Sequence, residues 1–169
     1  MKTNNKSELI IIRGTPGAGK SSLGLRLKVK FPHGAFIEID NFRGMLNTVD
    51  WSDSVQHHIA LEGAAAAAKS FIYSKAIPVI VADMFLPVEL DFFLEKIKGT
   101  QVRIFSLQAD EITLSQRLTD RKEGFKDIAK AVAINSQISD SRKLNEIVIN
   151  TSALTKNEVA TEFLRELLA

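Results

Sequence analysis

The chain has 169 residues, of which 45% are apolar, and this predicts one domain spanning residues 1–169 with a single core. Its 22 basic and 20 acidic residues leave a net charge of +2, too small to indicate nucleic-acid or membrane binding, and the absence of cysteine excludes disulfides and thiolate metal sites. The polar start MKTNNKSEL and the lack of any apolar run of about 20 residues predict a cytoplasmic protein without a signal peptide or membrane span.

Short apolar runs alternate with helical patterns along the chain. The predicted strands lie at residues 9–12, 35–39, 79–82, 102–107 and 147–149. This alternation predicts right-handed βαβ units, and therefore an α/β domain in three layers, with a five-stranded parallel sheet covered by helices on both faces. Ligands of such sheets bind at the carboxyl ends of the strands, where we expect a cleft.

The segment GTPGAGKSS, residues 14–22, separates the first strand from the first helix and fits the pattern G-x-x-x-x-G-K-S/T. Glycines let backbone N–H groups surround phosphate oxygens, Lys20 reaches the β- and γ-phosphates, and Ser21 can ligate Mg²⁺. The pattern predicts a nucleoside triphosphate site formed by Gly14, Thr15, Pro16, Gly17, Ala18, Gly19, Lys20, Ser21 and Ser22. The chain has no N-K-x-D string, the usual guanine-reading element of small GTPases, so the expected cofactors are ATP and Mg²⁺.

Two aspartates follow predicted strands. Asp40 comes after the second strand and is a candidate catalytic residue that accepts the proton of an attacking hydroxyl, the alternative being a helix N-cap. Arg43 is a candidate contact to substrate or phosphoryl charge, the alternative being a solvated surface arginine. Asp83 ends the third strand as a Walker B carboxylate does and is a candidate Mg²⁺ ligand; a position facing the acceptor and a turn role are the alternatives.

A long helix is predicted from a Ser52 cap to about Lys75. Its residues at roughly helical spacing are Val55, Ile59, Ala66 and Ile72, and the run of alanines at 64–68 allows close packing. The adjacent His57 and His58 cannot both point the same way, so we interpret both as structural. Trp51 precedes the helix and either lines an acceptor pocket or packs in the core or on the surface.

The second half of the chain carries two arginines one helical turn apart. Asp110 can cap their helix, and Arg117 and Arg121 are candidates for stacking on adenine or neutralising phosphate charge, the alternative being surface charges. The charged segment of about 121–127 that follows is predicted to be a short lid. For the last helix we predict a Thr155–Glu158 capping box and an apolar face of Val159, Phe163, Leu164, Leu167 and Leu168.

In this order the motifs GTPGAGKSS, IEIDNFR, VIVAD, LSQRLTDRK and IVINTS resemble those of small P-loop kinases related to nucleoside monophosphate kinases, gluconate kinases, chloramphenicol phosphotransferase-like proteins and polynucleotide 5′-hydroxyl kinases. The resemblance implies the sheet order 2-3-1-4-5. It also implies that Asp40 activates the acceptor, that Arg43 is the arginine of a D-x-x-R pair, and that Arg117 and Arg121 are lid arginines. The residues that it implies near the adenine are Asn150, Thr151 and Ser152.

The preferred hypothesis is that the chain is an ATP- and Mg²⁺-dependent kinase that phosphorylates a hydroxyl of a small molecule. Its catalytic candidates are Lys20, Asp40, Arg43, Arg117 and Arg121, and its metal candidates are Ser21 and Asp83. The second reading is a polynucleotide 5′-hydroxyl kinase, which one Trp, one Tyr and a charge of +2 disfavour. The third is a regulatory module that binds nucleotide and phosphorylates nothing. The acceptor and the oligomeric state stay open.

Overall fold

Strands and helices alternate along the chain as predicted. The computed structural model describes residues 8–169; the prediction that no signal peptide is present rests largely on residues 1–7, which lie outside the described residues. The strands in the described range are β1 (Leu9–Gly14), β2 (Ala35–Glu38), β3 (Val79–Asp83), β4 (Val102–Gln108) and β5 (Ile147–Asn150). The helices in that range are α1 (Lys20–Lys30), α2 (Ile39–Arg43), α3 (Ser54–Tyr73), α4 (Pro87–Lys96), α5 (Glu111–Thr119), α6 (Ile128–Asp140) and α7 (Lys156–Leu168).

The sheet has the order β2-β3-β1-β4-β5 in the described residues, and all neighbouring strands are parallel, which confirms the predicted fold. In the central strand, Ile11 pairs with Val81 of β3 and Ile104 of β4. Every residue of β1 and β3 is buried, because helices cover both faces of the sheet. Helices α3 and α4 supply the core of one face and α1 and α7 that of the other, giving three layers.

The residues that α3 buries are not the larger apolar residues whose spacing predicted its buried face. Val55 and Ile59 are 65% and 50% exposed, whereas the buried positions are His57, Ala60, Leu61, Ala64, Ala65 and Ala68. Small side chains let this helix approach its neighbours closely, as the alanine run indicated. The prediction of a Ser52 cap was wrong by one residue, because the side chain of Asp53 accepts from the N–H groups of Val55 and Gln56.

Most other helix boundaries agree with the sequence. Pro87 begins α4, Asp110 caps α5, and the Thr155–Glu158 capping box is present at α7. The apolar face of α7 was predicted one residue too long, since Leu168 is 64% exposed at the end of the chain. Residues 120–127 form neither helix nor strand between α5 and α6. None of the helices in residues 8–169 is both long and apolar enough to cross a membrane.

A buried ion pair that the sequence did not indicate ties β1 to the chain that follows α6. Arg13 Nε lies 3.3 Å from Glu146 Oε1, and both side chains are fully buried. Arg13 Nη2 also donates to the carbonyl oxygen of Ile138 at 2.8 Å and to Ser141 Oγ at 3.0 Å. Ser106 of β4 donates to the same Glu146 carboxylate. The end of α6 is therefore fixed to the middle of the sheet.

Glu146→Gln is expected to lower the free energy of unfolding by about 3–5 kcal/mol, because it leaves the Arg13 guanidinium buried without a counter-charge. Urea unfolding measures the loss. The matched control is Glu95→Gln, which breaks an exposed pair with Lys98 and should cost less than about 0.5 kcal/mol. An equal effect of the two substitutions would show that the buried pair is not needed for stability.

Candidate active site

A cleft of about 1490 Å³ lies where β1, β2 and β3 end. Its walls include the phosphate loop from Pro16 to Ser22, Asp40 after β2, Asp83 at the end of β3, and part of the segment from Arg117 to Val159. The two strand-end aspartates and the loop thus share one cavity, as their positions at the carboxyl ends of parallel strands predict.

Backbone geometry shapes the phosphate loop before any ligand is bound. Gly17 and Gly19 have φ angles of 90° and 104°, in the left-handed region that side chains disfavour. At Gly14 a Cβ would lie 2.6 Å from the carbonyl oxygen of Leu107. Thr15 is buried below the loop and donates from Oγ1 to the carbonyl oxygen of Ala131 at 2.7 Å. The loop is therefore held against both β4 and α6.

Lys20 begins α1 and folds back over the loop. Its Nζ donates to the carbonyl oxygens of Gly14 at 2.7 Å and Thr15 at 3.1 Å. Burial lowers the pKa of Lys20 to about 8, against the opposing effects of the negative charges of Asp83 and Asp40. The ammonium group is thus poorly compensated, and a polyphosphate would supply the missing negative charge.

This depressed pKa predicts proton uptake when ATP binds. At pH 8.5 most Lys20 side chains are neutral in the nucleotide-free protein, and the phosphate charge should raise the pKa of Lys20 above the solution pH. Titration calorimetry in buffers of different ionisation enthalpy should detect uptake of up to about one proton. Lys20→Ala should abolish the uptake at the same pH, and uptake that persists in this variant would assign it to another group.

Asp40 and Asp83 approach the loop from the other side of the cleft. Asp40 lies in the first turn of α2 and is exposed, whereas Asp83 is buried with 8% of its surface accessible. Desolvation and the negative charge of Asp83 raise the pKa of Asp40 above its ordinary value, although Lys20 and His57 oppose this. A carboxylate with a raised pKa is a better proton acceptor than an ordinary one.

His57 contacts three other polar side chains below the cleft surface. Its Nε2 lies 3.2 Å from Asp83 Oδ2 and 3.5 Å from Glu89 Oε1, and its Nδ1 lies 3.3 Å from Arg43 Nη1. Burial lowers the pKa of His57, but hydrogen bonds to Asp83 and Glu89 outweigh it and raise that pKa to about 10. The interpretation of His57 as structural missed this contact with a site residue.

The ligand atoms of His57, Asp83 and Glu89 lie within 4.8 Å of one another, the spacing of a metal site. The position of Arg43 argues against that use. Its Nη1, part of a cationic guanidinium, lies 3.3 Å from His57 Nδ1, and the pKa of about 10 keeps a proton on His57 Nε2, which faces the two carboxylates. We therefore interpret the set as a cluster of buried charged groups in which His57 orients Asp83 through an ion pair.

Arg43 is buried rather than solvated. It is 6% exposed, and its Nη2 donates to the carbonyl oxygens of Asp50 at 2.7 Å and Asp53 at 2.9 Å. Its guanidinium carbon lies 5.3 Å from the ring centre of Trp51, which is 60% exposed and lines the cleft. Arg43 thus fixes the loop that carries Trp51.

Arg117 lies between the phosphate loop and the chain after β5. It donates to the carbonyl oxygen of Gly17 at 3.2 Å, and to Thr151 through both Oγ1 at 3.0 Å and the carbonyl oxygen at 2.7 Å. Thr151 lines the cleft and is buried. Of the other two residues expected beside adenine, Asn150 accepts from Ser152 N–H and Ser152 Oγ accepts from Asp110 N–H, each at 2.9 Å.

Arg121 is exposed at the start of the predicted lid and lines the cleft with Gly124 and Phe125. Its positive charge contributes to lowering the pKa of Lys20, so the two cations lie near the same part of the cleft. Arg117 is held by backbone contacts, whereas Arg121 has a single marginal contact at 3.5 Å, to the carbonyl oxygen of Phe125 in its own segment. Of the two arginines, Arg121 has the greater reach toward a ligand.

Residues 10–143 match the family model described as an AAA domain. The chain belongs to this AAA domain family. Similar solved structures include a sugar kinase from Janibacter sp. HTCC2649 (17% identity, 96% of each chain covered, TM-score 0.68), a gluconokinase from Sinorhizobium meliloti 1021 (20%, 98% of this chain and 95% of that chain, 0.67) and shikimate kinase from Acinetobacter baumannii (14%, 97% and 94%, 0.69). A comparison with curated proteins found no match.

The family model and the similar solved structures agree on the fold of the chain. This AAA-domain chain shares its fold with these kinases over nearly its whole length, which confirms the fold that the motif resemblance implied. Sequence reasoning missed His57 and Glu89 as neighbours of Asp83. Glu89 lies three residues after Leu86, and its side chain accepts a hydrogen bond from the Leu86 N–H. This spacing was the one local signal of how Glu89 is oriented.

Proposed function

We propose that the chain is an ATP- and Mg²⁺-dependent kinase that transfers the γ-phosphate to a hydroxyl of a small molecule. The observation that carries the proposal is the shared cleft of Lys20, Asp40 and Asp83, whose charges act on one another across it. A phosphate-binding loop alone would fit any nucleotide-binding protein. An exposed carboxylate of raised pKa opposite that loop is what an acceptor hydroxyl requires.

On the donor side, the N-terminus of α1 and the loop backbone bind the phosphates, and Lys20 exchanges its carbonyl contacts for phosphate oxygens. Ser21 and Asp83 would hold Mg²⁺, and their hydroxyl and carboxylate oxygens are the hard donors that this ion prefers. When bound, the ion neutralises charge on the β- and γ-phosphates. Arg117 and Thr151 support the adenine end, and Arg121 of the lid approaches the phosphates.

On the acceptor side, Asp40 takes the proton of the acceptor hydroxyl while the hydroxyl oxygen attacks the γ-phosphorus. The new oxygen–phosphorus bond forms as the bond to the β–γ bridging oxygen breaks in line with it, and ADP leaves with that electron pair. His57 orients Asp83 through the contact at Nε2. The lid, about residues 121–127, excludes water from the transfer.

The test is ADP release with ATP and Mg²⁺ in the presence of sugars, nucleosides, antibiotics and 5′-hydroxyl oligonucleotides. Stimulation by a small alcohol, with a phosphorylated product of the expected mass, supports the proposal. Stimulation by oligonucleotides alone would instead favour a polynucleotide kinase. Nucleotide binding with no acceptor-stimulated release across the panel would favour a regulatory module.

A further inference from the structure

The two walls of the cleft carry opposite charge. We call the cleft-lining residues between 38 and 89 the acceptor wall and those at 16–23 and 117–159 the donor wall. The donor wall has five basic residues, Lys20, Arg117, Arg121, Lys130 and Lys156, and one acidic residue, Asp120. The acidic residues of the acceptor wall are Glu38, Asp40, Asp53, Asp83 and Glu89. The donor wall thus suits a polyphosphate, whereas the acceptor wall repels one.

The basic side chains on the acceptor wall are buried and already contact other protein groups. Within the described lining they are Arg43 and His57, which are 6% and 7% exposed. Nη2 of Arg43 is occupied by two backbone carbonyls, Nη1 faces His57, and Nε is itself buried. His57 Nε2 faces Asp83 and Glu89. Neither cation is therefore placed to bind a carboxylate or phosphate of an acceptor.

Trp51 supplies a flat apolar surface on the same wall. Its ring is 60% exposed, an unusual position for the largest aromatic side chain, and the Arg43 guanidinium packs 5.3 Å from the ring centre. The partly buried Met84 and Leu86 also line this wall. An exposed indole beside carboxylates favours a ligand with a flat or apolar group, and it favours a cationic ligand over an anionic one.

From these observations we infer that the acceptor is a small alcohol with a flat apolar group that stacks on Trp51 and with no anionic group. This inference rests on the proposed kinase function and names the class of its substrate. Neutral and amine-bearing alcohols fit the acceptor wall. Sugar acids, nucleotides and polynucleotide ends do not, because each would bring a negative charge against Glu38 and Asp40.

Trp51 is the single tryptophan of the chain, so its fluorescence reports binding without turnover. The probes are phenylalaninol, 3-phenyl-1,2-propanediol and 3-phenyllactate, which share a phenyl ring and a hydroxyl but are cationic, neutral and anionic. With a non-hydrolysable ATP analogue and Mg²⁺ bound, the first two should bind with Kd values at least about tenfold below that of the third. Equal or tighter binding of phenyllactate, or no saturable change with any probe, would overturn the inference.

Two variants test the two parts of the inference by calorimetry. Trp51→Ala should weaken binding of phenylalaninol about tenfold or more, and the control Tyr73→Ala, an 87% exposed aromatic at the far end of α3, should not change it. Glu38→Gln should reduce the difference in Kd between the cationic and anionic probes, whereas Glu95→Gln, an exposed position on α4, should leave that difference unchanged. The inference would be contradicted if Glu38→Gln left the difference in Kd between the cationic and anionic probes unchanged, or if Trp51→Ala left binding of phenylalaninol unchanged.

Failure of the inference and failure of the proposed function give different results. If anionic alcohols bind best and are phosphorylated, the kinase proposal stands and the inferred acceptor class is wrong. If the neutral and cationic probes bind at Trp51 but no alcohol of any charge stimulates ADP release, the binding class stands and the kinase proposal falls.

Discussion

Lys20→Ala is expected to lower acceptor-dependent turnover by about 10³-fold or more. In the proposed mechanism the ammonium group contacts the transferred phosphate, and a charged donor in such a site is typically worth about 10²- to 10³-fold by itself. Its loss should also weaken ATP binding, since the loop then lacks a compensating charge. Coupled ADP release and calorimetry measure the two effects.

The control for this substitution is Lys28→Ala in the exposed last turn of the same helix, which should leave turnover unchanged. Lys20→Ala should not lower the free energy of unfolding of the nucleotide-free protein. Burial depresses the pKa of Lys20 to about 8, so at pH 7 the ammonium group is still largely charged and its burial costs folding free energy rather than contributing it. Unchanged turnover in the Lys20→Ala variant would refute the assignment of the phosphate loop.

Asp40→Asn is expected to lower acceptor-dependent turnover by at least about 10²-fold while ATP binding stays nearly intact, because the amide cannot take the hydroxyl proton. The pH profile gives a second readout. A carboxylate acts as base only when ionised, and the pKa of Asp40 is raised, so turnover should fall with acid at a higher pH than an ordinary aspartate, with pKa about 3.9, would give.

The matched control is Asp140→Asn, which removes an exposed carboxylate at the end of α6. It should change neither turnover nor its pH dependence. If Asp40→Asn turns over as fast as the parent protein, or keeps the same acid limb, Asp40 is not the proton acceptor and another carboxylate of the cleft must be sought.

The fold was predictable because its signals are local. Each strand is a short apolar run, and the caps at Asp110 and Thr155 use side chains within three residues of the groups that they satisfy. The sheet order came from the motifs rather than from the periodicity. The face of α3 was misread because size and hydrophobicity pointed to Val55 and Ile59, whereas close packing on the sheet selects alanine.

The residues of the candidate site could be predicted only where a sequence motif indicated them. Asp40 and Asp83 follow strands, and the order of parallel strands alone brings them to one cleft. His57 gave no such signal, because its partners Asp83 and Glu89 are distant in sequence and meet it only after α3 packs beside β3. The burial of Arg43 has the same origin, since the loop at 50–53 that accepts its hydrogen bonds has no regular pattern.

Because α6 is anchored to the sheet, the length of the segment at 120–127 can change without changing the geometry of the phosphate loop. Arg13 and Thr15, on either side of Gly14, hold the end and the first turns of α6, while Arg117 holds α5 to Gly17. Both ends of the segment at 120–127 are therefore fixed without its help. Doubling the length of such a connection costs only about 0.6 kcal/mol of closure entropy. We therefore expect insertions in this segment to leave the geometry of the phosphate loop unchanged.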